Sequence, residues 1–205
     1  MKNCQETAGR PVESHPFPPL LPPEARVLLM GTFPPRPEKH AMDFHYPNFN
    51  NDLWRVMGAV FFNDPAHFIA ADRKRFSAEA IRAFLRQQGI GLCPTVLKAI
   101  RLQNNAADRF LQVVEAVDLA AVLAQLPHCQ YLGLTSGKAV EILLEQQGGG
   151  LKMPKTNETI AFPFAGRDLM LTRLPSTSRA YPLALAAKIA AYRDFFRRVF
   201  PALLG

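Results

Sequence analysis

The sequence predicts an α/β protein, a sandwich built on a mostly parallel sheet. Three observations predict it. Short apolar runs, "ARVLLMG" (25–31), "IGLCPTVL" (90–97) and "CQYLGLT" (129–135), carry glycine or proline late in each run and read as buried strands. Stripes of apolar residues at helical spacing lie between them. Strand and helix alternate, the order that sets a parallel sheet between helices.

Taken in order, residues 1 to 24 hold Pro11, Pro16, Pro18, Pro19, Pro22 and Pro23. Proline removes backbone donors and fixes φ, so this stretch reads as an arm, neither strand nor helix, that can rest on the domain through Phe17 and Leu20. Residues 25 to 205 read as a single domain, a size suited to the chain length. After the first strand comes a long loop, 31 to 50. "NDLWRVMGAVF" (51–61) then reads as a helix with Leu53, Trp54, Met57 and Phe61 on one side and Asn51 or Asp52 as cap. A second helix lies in 72–89, with Ser77 as N-cap, Glu79 in the first turn and Gly89 as the stop. The run from Ile90 reads as a strand that becomes loop at Pro94. Leu119, Val122, Leu123 and Leu126 mark a third helix, and "GKAVEILLEQQ" a fourth. "TIAFPFAGRDLMLTRL" reads as two strands around a turn at Gly166, the second ending at Leu174. A last helix from Pro182 to Phe200 presents Leu185, Ile189, Tyr192, Phe196 and Val199.

In open α/β sheets, ligands sit beyond the C-terminal ends of the strands. Two unusual loops leave strands there. The first, "GTFPPRPEKHAMDFHYPNFNND" (31–52), opens with Gly31, which lets the backbone turn or approach a ligand. Thr32 and the Phe33 amide are donors at the strand end, and Pro34, Pro35 and Pro37 stiffen the wall. Phe33, Phe44, Tyr46 and Phe49 offer flat apolar faces. Asn48, Asn50 and Asn51 offer paired donors and acceptors that match the edge of a base. Rings and amides together suit a planar, polar, neutral heterocycle. The second loop, "LPSTSRAYP" (174–182), brings Ser176, Thr177, Ser178 and Arg179 to a helix start, a place where phosphate oxygens are held. Gly137 and Lys138 open another helix near a possible phosphate. "GLTSGKAVEI" lacks the spacing of a nucleotide-triphosphate loop.

The net charge of +7 favours a polyanion. From Gly166 onward seven Lys or Arg face only Asp168 and Asp194, so most of that charge lies in the last fifth of the chain. Cys4, Cys93 and Cys129 are far apart, which argues against a disulfide scaffold, a zinc knuckle or an iron–sulfur cluster and fits a reducing cytoplasm. No apolar run is long enough to span a membrane, and "MKNCQETAGR" lacks the apolar stretch of a secretory signal. No compact His/Asp/Glu set suggests a metal, and no cofactor is expected.

The combination of "GTFPP", "YPNFNNDLW", "GIGLCPTVL", "YLGLTSGKA" and "LPSTSRAYP" resembles the uracil-DNA glycosylase superfamily, nearest its mismatch-specific and deoxyinosine (hypoxanthine) branches. The resemblance spans residues 25 to 198. It implies a three-layer α/β/α sandwich with a four-stranded, mainly parallel sheet. It implies excision of a damaged or deaminated base, hypoxanthine or uracil, from double- or single-stranded DNA. The base is flipped out and its N-glycosidic bond is hydrolysed without a metal. A monomer is expected. Thr32 stands where uracil-cleaving branches carry Asn or Asp; the deoxyinosine branch also lacks that acid or amide. The Asn three residues before the Trp matches Asn51. Leu53 replaces a usual Phe, and Arg179 replaces Pro in the "PSTSPA" form. The resemblance thus implies a catalytic Asn51; Thr32 and Asp52, beside it in the first loop, are the other catalytic candidates. Gly31, Phe33, Pro34, His45, Tyr46 and Phe49 would hold the base, and Ser176, Thr177, Ser178, Arg179 and Lys138 the DNA backbone. Asn51 can either stabilise the leaving base or hold the water. Two other readings share these residues: a non-catalytic DNA lesion-binding protein, and a nucleoside hydrolase.

Overall fold

The computed structural model describes residues 9–103 and 108–204. Cys4 and the first eight residues of the proline-rich arm lie outside the described residues. A mixed five-stranded sheet forms the centre. Its strands are β2 (Val27–Gly31), β3 (Ile90–Pro94), β6 (Tyr131–Leu134), β7 (Thr159–Phe164) and β8 (Arg167–Arg173), in the order β3-β2-β6-β8-β7. The first four of that order run parallel, and β7 pairs antiparallel with β8 at one edge. The central sheet therefore has five strands rather than the four implied by the resemblance; the added edge strand β7 is the near half of the 159–174 hairpin, where Gly166 turns the chain with φ 73°.

Alternation along β2 explains the layering. Val27 and Leu29 enter one core and Leu28 and Met30 the other. The first core takes α1 (Leu53–Phe62), α2 (Ala78–Gln88) and α5 (Leu185–Val199); the second takes α3 (Leu119–Ala124) and α4 (Gly137–Gln147). Helices thus flank the sheet on both faces. Gly133 in β6 permits the close approach of α5, because a Cβ there would lie 2.7 Å from Leu29 and 3.0 Å from Phe195. Trp54 and the stripe Tyr192, Phe196 and Val199 are buried as their spacing predicts. Ser77 caps α2 by accepting from the Ala80 amide, and Gly89 ends the helix in the left-handed region.

Three more sequence expectations change. The chain does not become loop at Pro94; after Thr95 it continues as β4 (Val96–Arg101). That strand pairs with β5 (Leu111–Ala116) and with β1 (Glu13–Ser14), a second, three-stranded antiparallel sheet. The arm is therefore not wholly without secondary structure. Between its prolines, Glu13 and Ser14 add to the free edge of β4, Leu20 bridges to Leu92, and Phe17 is buried. The last helix starts at Leu185 rather than Pro182, because Ala184 is extended (ψ 147°) and Tyr181–Leu183 form a turn. The helix α6 (Pro201–Leu204) follows it.

The small sheet braces the first loop. Arg101, buried in β4, pairs with Glu13 of β1 at 2.9 Å and donates to the Pro34 carbonyl at 2.6 Å. Its guanidinium also lies 5.2 Å from the centre of the Phe33 ring. With Nε–H given to Glu13 and Nη2 to Pro34, the guanidinium ties three segments together with charge-assisted bonds.

Candidate active site

The parallel strands β2, β3, β6 and β8 end on one side of the sheet, and a cavity of about 760 Å³ lies there. Gly31, Pro94, Thr135 and Arg173, from or just beyond those four strand ends, line it. Both unusual loops line it too. Thr32, Phe33, Pro34, His45, Tyr46 and Asn51 come from the first; Ser176, Thr177, Ser178 and Arg179 come from the second. The two loops are bonded directly. The Asp52 amide donates to the Thr177 carbonyl at 2.9 Å. Lys188, buried on α5, donates to Asp52 Oδ2 at 2.8 Å and to the Ser178 carbonyl at 2.9 Å. Tyr192, one turn on, donates to the Pro175 carbonyl. The spacing of the loops is therefore set by side chains of one helix.

Asn51 has a definite orientation. Its Oδ1 accepts from the Leu53 amide at 2.9 Å and so satisfies one orphan donor at the start of α1. That bond identifies the oxygen and leaves the amide N–H groups as what Asn51 can offer a ligand. Asp52 is different from the sequence expectation. It does not line the cavity, and its carboxylate is directed to Lys188, with Arg179 at 3.8 Å. A carboxylate so committed holds the loops together and is turned away from the cavity. Thr32 is buried, and its hydroxyl donates to Asp108 Oδ1 at 2.6 Å.

Gly31 is required by its surroundings. A Cβ there would come within 2.6 Å of the Tyr46 hydroxyl. That hydroxyl lies 3.0 Å from Thr135 Oγ1, and Tyr46 itself has φ 54°. Burial, opposed by the Thr135 bond and reinforced by the Asp108 charge, pushes the Tyr46 phenol up to about 12. It stays neutral and shares a hydrogen bond with Thr135 at the cavity wall.

The rings divide. Phe33 and Tyr46 line the cavity, whereas Phe49 does not. Phe49 packs on Phe76 (centroids 4.9 Å apart) under the Arg55 guanidinium at 4.6 Å. It serves the core rather than a base. Phe44 is likewise buried against Trp54. Lys138 also lies off the cavity and pairs with Glu141 at 3.3 Å along α4; Ser136 and Gly137, just before it, do line the cavity. Thr177 is buried. Ser176 and Ser178 each accept a loop amide (from Ser178 and Ala180, 3.2 Å), which leaves their own hydroxyl protons to donate.

The basic surplus of the last fifth is not one face. Lys188 is buried, and Arg167, at the opposite end of β8, donates to the carbonyls of Leu123, Pro127 and Cys129. Of the seven, only Arg173 and Arg179 line the cavity, and Lys39 joins them from the first loop. No group of three or more His, Cys, Asp or Glu placed to hold a metal ion occurs among the described residues. No helix among them is long and apolar enough to cross a membrane. Cys93 and Cys129 are free and buried, and burial raises both thiols, to about 12 and about 11.

Histidines form a feature that periodicity does not reveal. His15 of the arm and His45 line the cavity with ring centres 5.7 Å apart. Burial first, then the neighbouring His45, lower His15 to about 4. Burial, with a smaller effect from Arg82, lowers His45 to about 4 against the opposing Pro18 bond. His45 Nε2–H donates to that Pro18 carbonyl at 2.9 Å. A neutral ring with this proton committed has only an acceptor left, so His45 is not the donor to a base that its position in the loop suggested. Both rings bind protons more readily in the unfolded chain. Their contribution to stability is therefore full above pH 6.5 and is lost as pH falls toward 4. Urea unfolding at pH 7 and pH 4.5 should show a loss of about 2–3 kcal/mol from His45 alone, and H45Q should remove that part of the slope.

Comparison with solved structures places this architecture. Among thirty matching chains is the solution NMR structure of a candidate uracil-DNA glycosylase from Methanosarcina acetivorans, with a TM-score of 0.61 and 19% identity over 92% of this chain and 99% of that one. At that identity the likeness is one of fold: the protein has a uracil-DNA-glycosylase-like α/β fold. No family model and no curated protein sequence matches the chain.

Proposed function

We propose that the protein is a DNA glycosylase that everts a deaminated base, hypoxanthine or uracil, and hydrolyses its N-glycosidic bond. One observation carries this reading. The ring-and-amide loop and the Ser/Arg loop leave distant strands yet share one cavity of about 760 Å³. That volume lies within the range of ligand sites and admits a nucleoside. A neighbouring wall of hydroxyls with one guanidinium suits the phosphates on either side.

The chemistry follows from what each group has left to give. Eversion costs a few kcal/mol and is least costly at a mispair. Phe33 or Tyr46 stacks on the base, worth about 1–3 kcal/mol. As the C1′–N bond lengthens, positive charge grows on the sugar and negative charge on the base. Asn51, its oxygen already bonded to Leu53, donates its N–H to the departing base. Phe33 and Tyr46 line the same space.

The test is base release from duplex and single-stranded oligonucleotides carrying uracil, hypoxanthine or xanthine, with the free base identified by mass. Release of a free base and an abasic site supports the reading. Tight binding without release would favour a lesion-binding protein, and cleavage of free nucleosides uninhibited by duplex DNA a nucleoside hydrolase. Arg179, 64% exposed, is the cation best placed for phosphate. R179A is expected to weaken DNA binding and lower the slope of log affinity against log salt by about 1. An unchanged slope would remove Arg179 from the DNA contact.

A further inference from the structure

Hydrolysis requires a group that receives the proton of the attacking water. On the glycosylase reading, the catalytic candidates Asn51, Asp52 and Thr32 do not provide one. The Asn51 oxygen is bonded to the Leu53 amide, and Asp52 is held by Lys188 away from the cavity. Thr32 uses its proton on Asp108 and carries no negative charge. Among the described residues, one carboxylate lines the cavity, and it is Asp108.

Asp108 begins the short 3-10 turn that leads into β5, and is half-buried. Thr32 Oγ1 fixes its Oδ1 at 2.6 Å, directly beyond the end of β2. The Thr32 position is in turn held from behind. Gly31, its neighbour, has its carbonyl bonded by both the amide (2.7 Å) and the hydroxyl (3.0 Å) of Thr95. The carboxylate is thus anchored through one oxygen, with Oδ2 free of that bond, in the cavity that Tyr46 and Asn51 also line.

We propose that Asp108 is a catalytic residue that orients the attacking water and takes its proton, an inference that rests on the glycosylase reading. The water oxygen forms a bond to C1′ as the C1′–N bond breaks. The bonding pair leaves with the base, which Asn51 stabilises. The water proton passes to Asp108 Oδ2. The base then takes a proton from solvent, and Asp108 returns its own to solvent. Products are the free base and an abasic deoxyribose, with no oxidant or further reactant needed. Thr32 becomes a positioning residue that orients the carboxylate. The carboxylate sought directly after Gly31 is supplied instead from a remote turn.

The experiment is single-turnover base release by the full chain from hypoxanthine- and uracil-containing duplexes. Wild type, D108N and D108A are compared, with DNA affinity and melting temperature measured for each. Both variants should bind DNA within about threefold of wild type and release base at least about a hundredfold more slowly, the lower range for loss of a general base. Added formate should restore part of the D108A rate, because a small carboxylate can enter the vacated space; a merely structural role would not respond. D108N keeps an acceptor for Thr32 but not the charge, so a D108N rate within threefold of wild type would overturn the proposal. Slow release by D108A with no response to formate would overturn it too. Absence of base release by the wild type would instead be a failure of the glycosylase reading itself.

Discussion

Asn51→Ala is expected to slow base release at least about a hundredfold while DNA affinity changes little. The reasoning begins with the amide. Asn51 lines the cavity, and its oxygen is spent on the Leu53 amide, so its N–H groups are what meet a ligand. A donor held in place before the reaction, and aimed where negative charge develops, needs no reorganisation as the bond breaks. Loss of one such donor typically costs 10²–10³ in rate, about 3–4 kcal/mol. The same substitution also removes the acceptor of the Leu53 amide at the start of α1, at a cost of about 1 kcal/mol in stability. Asn51→Asp separates the two effects. Aspartate keeps an oxygen for the Leu53 amide at a helix start, where negative charge is favourable. It has no N–H to donate. Asn51→Asp should therefore unfold at the wild-type urea concentration and yet release base as slowly as Asn51→Ala. Single-turnover kinetics and urea melts on both variants check this. Wild-type rates in Asn51→Asp would mean that the residue serves α1 alone.

Lys188→Met is expected to destabilise the fold by about 3–5 kcal/mol. The side chain is 1% exposed and that of Asp52 5%. Truncating one member of such a pair leaves the other charge buried without its partner, the costly case. Total stabilities are about 5–15 kcal/mol, so the loss is a large share. Replacing both, as Asp52→Asn with Lys188→Met, should recover much of it, since a neutral pair leaves no buried charge. The four proteins of that cycle, melted in urea, give the coupling directly. A loss below about 1 kcal/mol in Lys188→Met would show that water reaches the pair. The pair also sets the distance between the two loops, because Lys188 bonds Ser178 as well as Asp52. A variant that survives with the bond broken should bind lesion DNA less tightly.

The parallel strands and their helices were legible for physical reasons. A strand buried on both faces must be apolar at every position, as Val27 to Met30 are. A helix on one face must carry a stripe, as Ile81, Phe84 and Leu85 do. The small sheet was not legible. β4 follows Pro94 after a single residue, with no turn signal, and its "VLKAIR" is neither fully apolar nor regularly alternating. β1 is two residues between prolines. Such strands exist because partners pair with them, not because of local preference.

The site shows the same division. Both loops stood out by their glycine, asparagine, serine and ring content. Which ring faces the cavity did not, and Phe49 turned to Phe76 because packing decides direction. Asp108 had no local signal, and its bond to Thr32 spans 76 residues. Lys188 did have one. It lies three residues after Leu185 and four before Tyr192, a lysine on an apolar stripe, which calls for a buried partner. His15 was hidden in the arm, whose approach to the cavity depends on the β1–β4 pairing.

The most direct measurement is the fate of the lesion base when excess wild-type protein meets a hypoxanthine–thymine duplex beside the same duplex without the lesion. The account predicts one free base and one alkali-labile abasic site per lesion, and neither from the unmodified strand. Saturated binding of the lesion duplex, and of its uracil and xanthine counterparts, with every base still attached after hours would contradict it.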